Sequence, residues 1–263
     1  MAIIPDSNIV IPRLYDFFPE DQFNISINEK DPRLININSK NGSLCTEFHF
    51  ELDNNEIVLY IDLLSKCSSN GKTNLEKLIQ YARINKLNIK LLDASSIFYD
   101  FINESKESDM ENVSISLRKL KLLQTGKTWY QQFGFTNPEM ASYKESITKF
   151  INSEFKFILE MPEFLKYKSL ITFFYRRNHS ILNMTIKEFF IFTENILKIL
   201  CPNSTCIIKL KPVIKFYSHF INDIYELMKN INYLDKIDKS TKFMLSTKGK
   251  RVKNKKSNKR RCK

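Results

Sequence analysis

The chain has 263 residues, 43% of them hydrophobic, which suits one large domain or two small ones with a substantial core. Its formal charge of +12 is concentrated at the end: Lys242 to Lys263 holds 11 Lys/Arg and no acid, leaving about +1 on the rest of the chain. No apolar run reaches the ~18–20 residues of a membrane span. The first residues also lack the basic-then-apolar pattern of a secretory signal, so neither is expected. Cys45, Cys67, Cys201, Cys206 and Cys262 are scattered and odd in number. With no metal-ligand spacing, they predict reduced thiols in an intracellular protein, cytoplasmic or nuclear, and no zinc.

In chain order the first elements are strands. Phe23–Ile27 and Leu34–Ile37 alternate or nearly so. Cys45 to Leu52 alternates cleanly, with Phe48, Phe50 and Leu52 on one face and Glu47, His49 and Glu51 on the other. Asp53-Asn54-Asn55 is a turn signal, so a hairpin leads into Ile57–Leu64, which is apolar on both faces like a central, doubly covered strand. The loop from Lys66 to Lys72 follows. Leu75, Leu78, Ile79 and Ala82 form one stripe, which predicts a helix over Thr73–Lys86, and Thr73 and Glu76 have capping-box spacing. Ile89–Asp93 reads as a strand, Asn103–Asn112 as an acidic surface insertion, and Ile115–Phe133 as helix broken near Gly126. A boundary is placed at Asn137-Pro138. Helices are then expected over Tyr143–Met161, Phe164–Arg177, Phe189–Leu200 behind a Thr185/Glu188 capping box, and Val213–Asn230. The expected architecture is α/β (α+β). A mixed central sheet flanked by helices occupies residues 1–137, an all-α region residues 138–240, and a disordered basic tail residues 241–263.

Three places carry candidate chemistry. The loop Lys66-Cys67-Ser68-Ser69-Asn70-Gly71-Lys72 stands between a buried strand and a helix start, where free amides and the helix dipole favour an anion. It fits a pyrophosphate cradle, and it fits an ordinary strand-to-helix loop whose glycine serves only a turn. It is not a P-loop, because Lys66 occupies the position of the motif's first glycine; Gly126-Lys127-Thr128 fails likewise at Lys121. Second, Asp62 is the one acid in the buried strand run. Burial would raise its pKa and suit it to a general base, although an exposed strand-end acid fits as well. Third, Trp129-Tyr130-Gln131-Gln132-Phe133-Gly134-Phe135 reads as a helix end capped by Gly134, with Phe135 opening a strand. Core packing accounts for Trp129, Phe133 and Phe135, whereas Tyr130 has a phenolic proton to give.

The succession of the Leu59-Tyr60-Ile61 strand, the glycine loop, the Leu75-x-x-Leu78-Ile79-x-x-Ala82 helix, the Ile89 to Ser95 strand and Trp129-Tyr130-x-x-Phe133-Gly134-Phe135 resembles the GNAT family of acyl-CoA-dependent N-acyltransferases. The resemblance covers roughly Phe23 to Phe135. It implies a fold in which two parallel strands splay to admit the acyl-pantetheine arm of acetyl-CoA or another acyl-CoA. By position, Lys66, Ser68, Ser69, Asn70, Gly71, Lys72 and Thr73 would hold the pyrophosphate, and Tyr130 would protonate the departing thiolate. The loop has one glycine where the family's motif has two, and Glu76 stands one turn into the helix.

The expected function is therefore transfer of an acyl group from acyl-CoA to an unidentified amine by direct attack. The alternative is an inactive scaffold of the same fold. The tail, rich in Lys and Arg and without aromatic residues after Phe243, fits salt-sensitive attraction of nucleic acid or another polyanion, or nuclear import, as well as it fits a solubilising end.

Overall fold

Asn54 and Asn55 both take left-handed backbone (φ 49° and 64°) and turn β3 (Leu44–Asp53) back onto β4 (Glu56–Leu64). Asparagine tolerates this conformation better than other side chains, which is why the two-residue turn was legible. The structure, a computed structural model, describes residues 13–65, 71–92, 95–102, 112–232 and 242–246. They fall into two units, one reaching Leu91 and resuming at Met244, the other running from Leu92 to Phe243.

In the first unit β1 (Phe23–Ile27), β2 (Ile35–Ser39), β3 and β4 pair antiparallel in succession. β5 (Asn88–Leu92) then pairs parallel to β4, reached through the Gly71–Ile84 helix. The registers place Phe50, Leu59 and Ile89 in one row and Phe48, Ile61 and Leu91 in the next. Burying these rows with helix residues Leu75, Leu78, Ile79 and Ala82 closes the core of this unit, each large side chain contributing about 1.5–3 kcal/mol. The other face of the sheet carries His49, Tyr60 and Lys90 in a row.

Two expectations are corrected here. The helix begins at Gly71, so Thr73 lies inside its first turn and is not its cap; Glu76 instead approaches Lys72 at 3.9 Å. The tail does not begin at Thr241 as a featureless segment: Lys242–Leu245 is β9, the sheet's last strand beside β5. The apolar run Phe243-Met244-Leu245 supplies what the rest of the tail lacks, and Leu245 is buried. Residues 247–263, where disorder was expected, lie outside the described residues.

The second unit opens with a hairpin of β6 (Ser96–Ile102) and β7 (Val113–Ser116), which the sequence reading did not find; β8 (Thr205–Ile207) adds parallel to β6. Ile115 is therefore in a strand. The helix starts at Leu117, where the Ser116 hydroxyl accepts from the Lys119 amide at 3.4 Å, and stops at Gly126 (φ 71°). Most of the expected insertion, residues 103–111, lies outside the described residues. Because the Leu117–Thr125 helix packs on the Ile186–Leu200 and Lys211–Asn232 helices, the units divide at Leu91/Leu92 and not at Asn137-Pro138, where Asn137 only caps the Pro138–Ser142 helix.

The helix expected over Tyr143–Met161 is interrupted. Lys144–Ile151 and Phe155–Leu159 are separate because Glu154 bridges Thr185, and the Phe155 and Ile186 amides donate to the Met184 and Ser153 carbonyls. Thr185 and Glu188 do form the capping box, with bonds of 2.8 and 3.2 Å. The core is aromatic: Phe155 stacks on Phe189 at 3.8 Å, and Phe220 meets Phe155, Phe164, Phe189 and Phe190. The expectation of reduced thiols is also corrected. Asn203 and Ser204, both at positive φ, fold the chain so that Cys201 and Cys206 come within 4.5 Å (Cα–Cα) and form a disulfide. No described helix is long and apolar enough to cross a membrane.

Near this core Glu194 accepts from Lys121 (2.9 Å), Lys198 (3.0 Å) and Gln124 (2.6 Å). Burial pushes its carboxyl up, but the bonds from Lys121 and Lys198 outweigh that and hold it below the ordinary glutamate range. Removing the Phe189 ring leaves a cavity in a fully buried stack, so Phe189→Ala is expected to cost about 3–5 kcal/mol in urea unfolding. A carboxyl depressed on folding stabilises the fold above its unfolded pKa, about 4.3, and that contribution is lost as pH falls through the lower folded value. The native chain should therefore lose unfolding free energy more steeply than Glu194→Gln between about pH 5 and pH 3.

Candidate functional site

β4 outruns β5. Among the described residues their parallel pairing runs from Val58↔Asn88 to Ile61↔Leu91, while β4 continues to Leu64 with described partners in β3. At that point the β3–β4 register slips. Phe48 opposes Ile61 and Glu47 opposes Leu63, so Asp62 is one residue too many: a β-bulge.

Asp62 follows Tyr60 on the polar face, and its Oδ2 lies 2.6 Å from Nδ1 of His49. The His49 ring leans on Tyr60, centroids 5.1 Å apart and planes 31° from parallel. The Asp62 and His49 side chains are 27% and 24% exposed, so of the two readings of Asp62 the partly exposed acid holds over the buried one. On the same row Lys90 is held by Asp53 (2.6 Å) and Glu51 (3.5 Å). Burial opposes the Lys90 charge, but those carboxylates prevail and its pKa rises. Burial, reinforced by Asp62 and Glu51, raises the Tyr60 phenol above its usual range.

Chemically, a histidine that gives its Nδ1 proton to a carboxylate keeps the lone pair on Nε2. Asp62 then orients the ring and offsets the charge that forms when Nε2 takes a proton, so the pair is suited to proton acceptance. The sequence reading placed Asp62 and His49 separately on strand faces. The in-register partner of His49 is Tyr60, two residues before Asp62, and that neighbourhood was readable; the bulge was not.

Of the residues assigned to an anion cradle, Lys66, Ser68, Ser69 and Asn70 lie outside the described residues. Gly71, Lys72 and Thr73 form the opening of the Gly71–Ile84 helix, whose first turn carries no acid. A methyl group added at Gly71 would meet the Ser65 carbonyl oxygen at 3.6 Å, an ordinary contact, so the position is open to a small group. A phosphate fits this helix end chemically: positive dipole, no acid in the first turn and one adjacent lysine.

Tyr130 belongs to the second unit. It opens a short 3-10 turn, Tyr130–Phe133, that Gly134 (φ 89°) closes with its N–H on the Gln131 carbonyl. The Tyr130 ring is 6% exposed and meets Trp129 at 4.8 Å and Phe135 at 5.8 Å, both edge-on. The expected glycine cap is present, but on a 3-10 turn. Phe135 does not open a strand; a single bridge residue, Thr136, precedes the Pro138–Ser142 helix. The structure thus brings Asp62 together with His49 and Tyr60, and sets Gly71, Lys72 and Thr73 at the start of the helix that follows the same strand. Compared with family models, curated proteins and solved structures, the chain finds no match.

Proposed function

We propose that the chain is a GNAT-like N-acyltransferase that moves an acyl group, in the simplest case acetyl, from acyl-CoA to an amine. The observation that carries this reading is the parallel β4–β5 pair joined by a helix, whose pairing among the described residues reaches Ile61↔Leu91 while β4 runs on through a bulge. In this reading an extended thioester arm lies along β4 beyond that point, and the helix connecting the two strands turns its N-terminus to phosphate.

In this reading acyl-CoA supplies the activated carbonyl. Gly71, Lys72 and Thr73, with the preceding loop, hold its phosphates through amides and one cation. Nε2 of His49, oriented by Asp62, takes the proton from the attacking amine as nitrogen bonds to the acyl carbon. The carbon–sulfur bond breaks with its electron pair on sulfur, and the thiolate takes a proton from solvent. The polar row of Glu47, His49 and Glu51 offers carboxylates to a cationic acceptor such as a polyamine or a lysyl side chain.

Acetyl-CoA should bind the native chain in calorimetry, and Gly71→Glu, which puts bulk and negative charge at the helix start without strain at φ, should weaken it at least about tenfold. Absence of binding to the native chain at ~1 mM coenzyme would remove the enzymatic reading. With polyamines and lysyl peptides as acceptors, thiol release should fall by about 10²-fold or more in Asp62→Asn and His49→Ala, at little change in coenzyme affinity.

A further inference from the structure

A cleft of about 980 Å³ lies entirely within the second unit, between the Lys168–Tyr175 helix and the start of the Lys211–Asn232 helix. Four cations line it, Lys166, Lys168, Arg176 and Arg177, and no carboxylate does. Lys166 is answered by Asp223 at 2.7 Å, which also accepts from the Tyr167 hydroxyl at 2.8 Å. Among the described residues no carboxylate pairs with Lys168, Arg176 or Arg177. Three unanswered positive charges on one concavity repel each other, and an anion placed there relieves all three.

The aromatic residues narrow the ligand class. Arg177 lies over the Phe173 ring at 3.7 Å and donates from Nη1 to the Phe173 carbonyl at 2.7 Å. This fixes the guanidinium and leaves its remaining N–H groups for a phosphate. Phe216 is 44% exposed on the opposite helix, and its ring meets Tyr167 at right angles at 6.4 Å. The first turn of that helix, which contributes Pro212 and Val213 to the cleft, contains no acid, so its dipole adds to the positive field. Pinned arginine, mobile lysines and an open ring are the elements that bind a phosphate and stack its base. The volume sits at the upper end of the ~300–1,000 Å³ typical of ligand clefts. The recess is concave, which suits a strand or a small molecule and not a flat lipid surface.

We propose that this cleft is a nucleotide-binding site, in which Lys168, Arg176 and Arg177 hold phosphate and Phe216 stacks the base, the ligand being a free nucleotide or an unpaired polynucleotide strand. The site is independent of the basic tail and of the transferase reading.

The test is fluorescence anisotropy with the full chain and a labelled oligo-dT of about ten nucleotides, at several salt concentrations. The native chain should bind. Lys168→Ala/Arg176→Ala should weaken binding more than about tenfold and reduce the slope of log affinity against log salt by about 1.4, two single-strand phosphate contacts. Phe216→Ala should weaken binding about fivefold or more, the scale of one lost base stack. These side chains are exposed, so the variants should keep the native circular dichroism and melting temperature. Displacement of the oligonucleotide by dTTP would identify the free nucleotide as a sufficient ligand, and failure of dTTP would assign the strand; both sustain the site. Absence of native binding overturns the proposal. So does native-like affinity in the double variant, which would place the anion contacts in the tail. Loss of affinity in the double variant with none in Phe216→Ala also overturns it, as a charge patch without base recognition.

Discussion

The first unit depends on one pairing: β5 lies parallel to β4 in a sheet that up to β4 is an antiparallel meander. Antiparallel neighbours can be joined by two residues, as Asn54 and Asn55 join β3 to β4. A parallel neighbour requires the chain to travel back along the sheet, and a helix is the compact way to do so. That requirement fixes where the helix begins. Its N-terminus must stand beyond the C-terminal end of β4, which is also the end at which β4 loses β5 and carries its extra residue. Strand end, bulge and positive helix end therefore share one rim for topological reasons, and the Asp62–His49 pair ties the strand that leads there to β3.

The second unit is held together differently. Its helices are short and frequently interrupted, and what they share is a set of phenylalanines packed edge to face around Phe189 and Phe220. Aromatic contacts of this kind prefer defined geometries and add to the burial of apolar area. The ion cluster at Glu194 is placed so that every bond to the carboxylate comes from a donor on its own or a neighbouring helix. Lys168, Arg176 and Arg177 are not answered in this way among the described residues, which is what distinguishes a cleft from a merely solvated helix face.

Local rules made much of this readable. Alternation found β1 to β3, a continuous apolar run found β4, the Asx-type turn found the hairpin, and the Thr185/Glu188 spacing found a cap that forms as drawn. Failures came where the decisive partner is distant. In β6 only Tyr99 and Phe101 are buried, while Phe98 and Ile102 are exposed, so its composition gives a weak period-two signal. Thr73 and Glu76 have capping spacing, but the chain leaving β4 had already turned helical at Gly71. The boundary at Pro138 followed a local breaker, whereas the Leu117–Thr125 helix is committed to helices some seventy to a hundred residues later. The Asp62–His49 contact needs a register slip that no single-strand pattern reveals. The cleft draws Arg177 and Phe216 from segments that each look like ordinary amphipathic helix.

The extra residue in β4 also changes the parity of the strand. Up to Asp62, even-numbered residues such as Val58 and Tyr60 share the face of His49; past it, Leu63 opposes Glu47 and takes that face instead. A chain lacking Asp62 would return to plain alternation with Leu63 still opposite Glu47, and would lose the carboxylate that meets His49. The inserted residue is thus the acid itself, and a deletion here would cost the His49 contact while leaving the facing of Leu63 and Leu64 as it is.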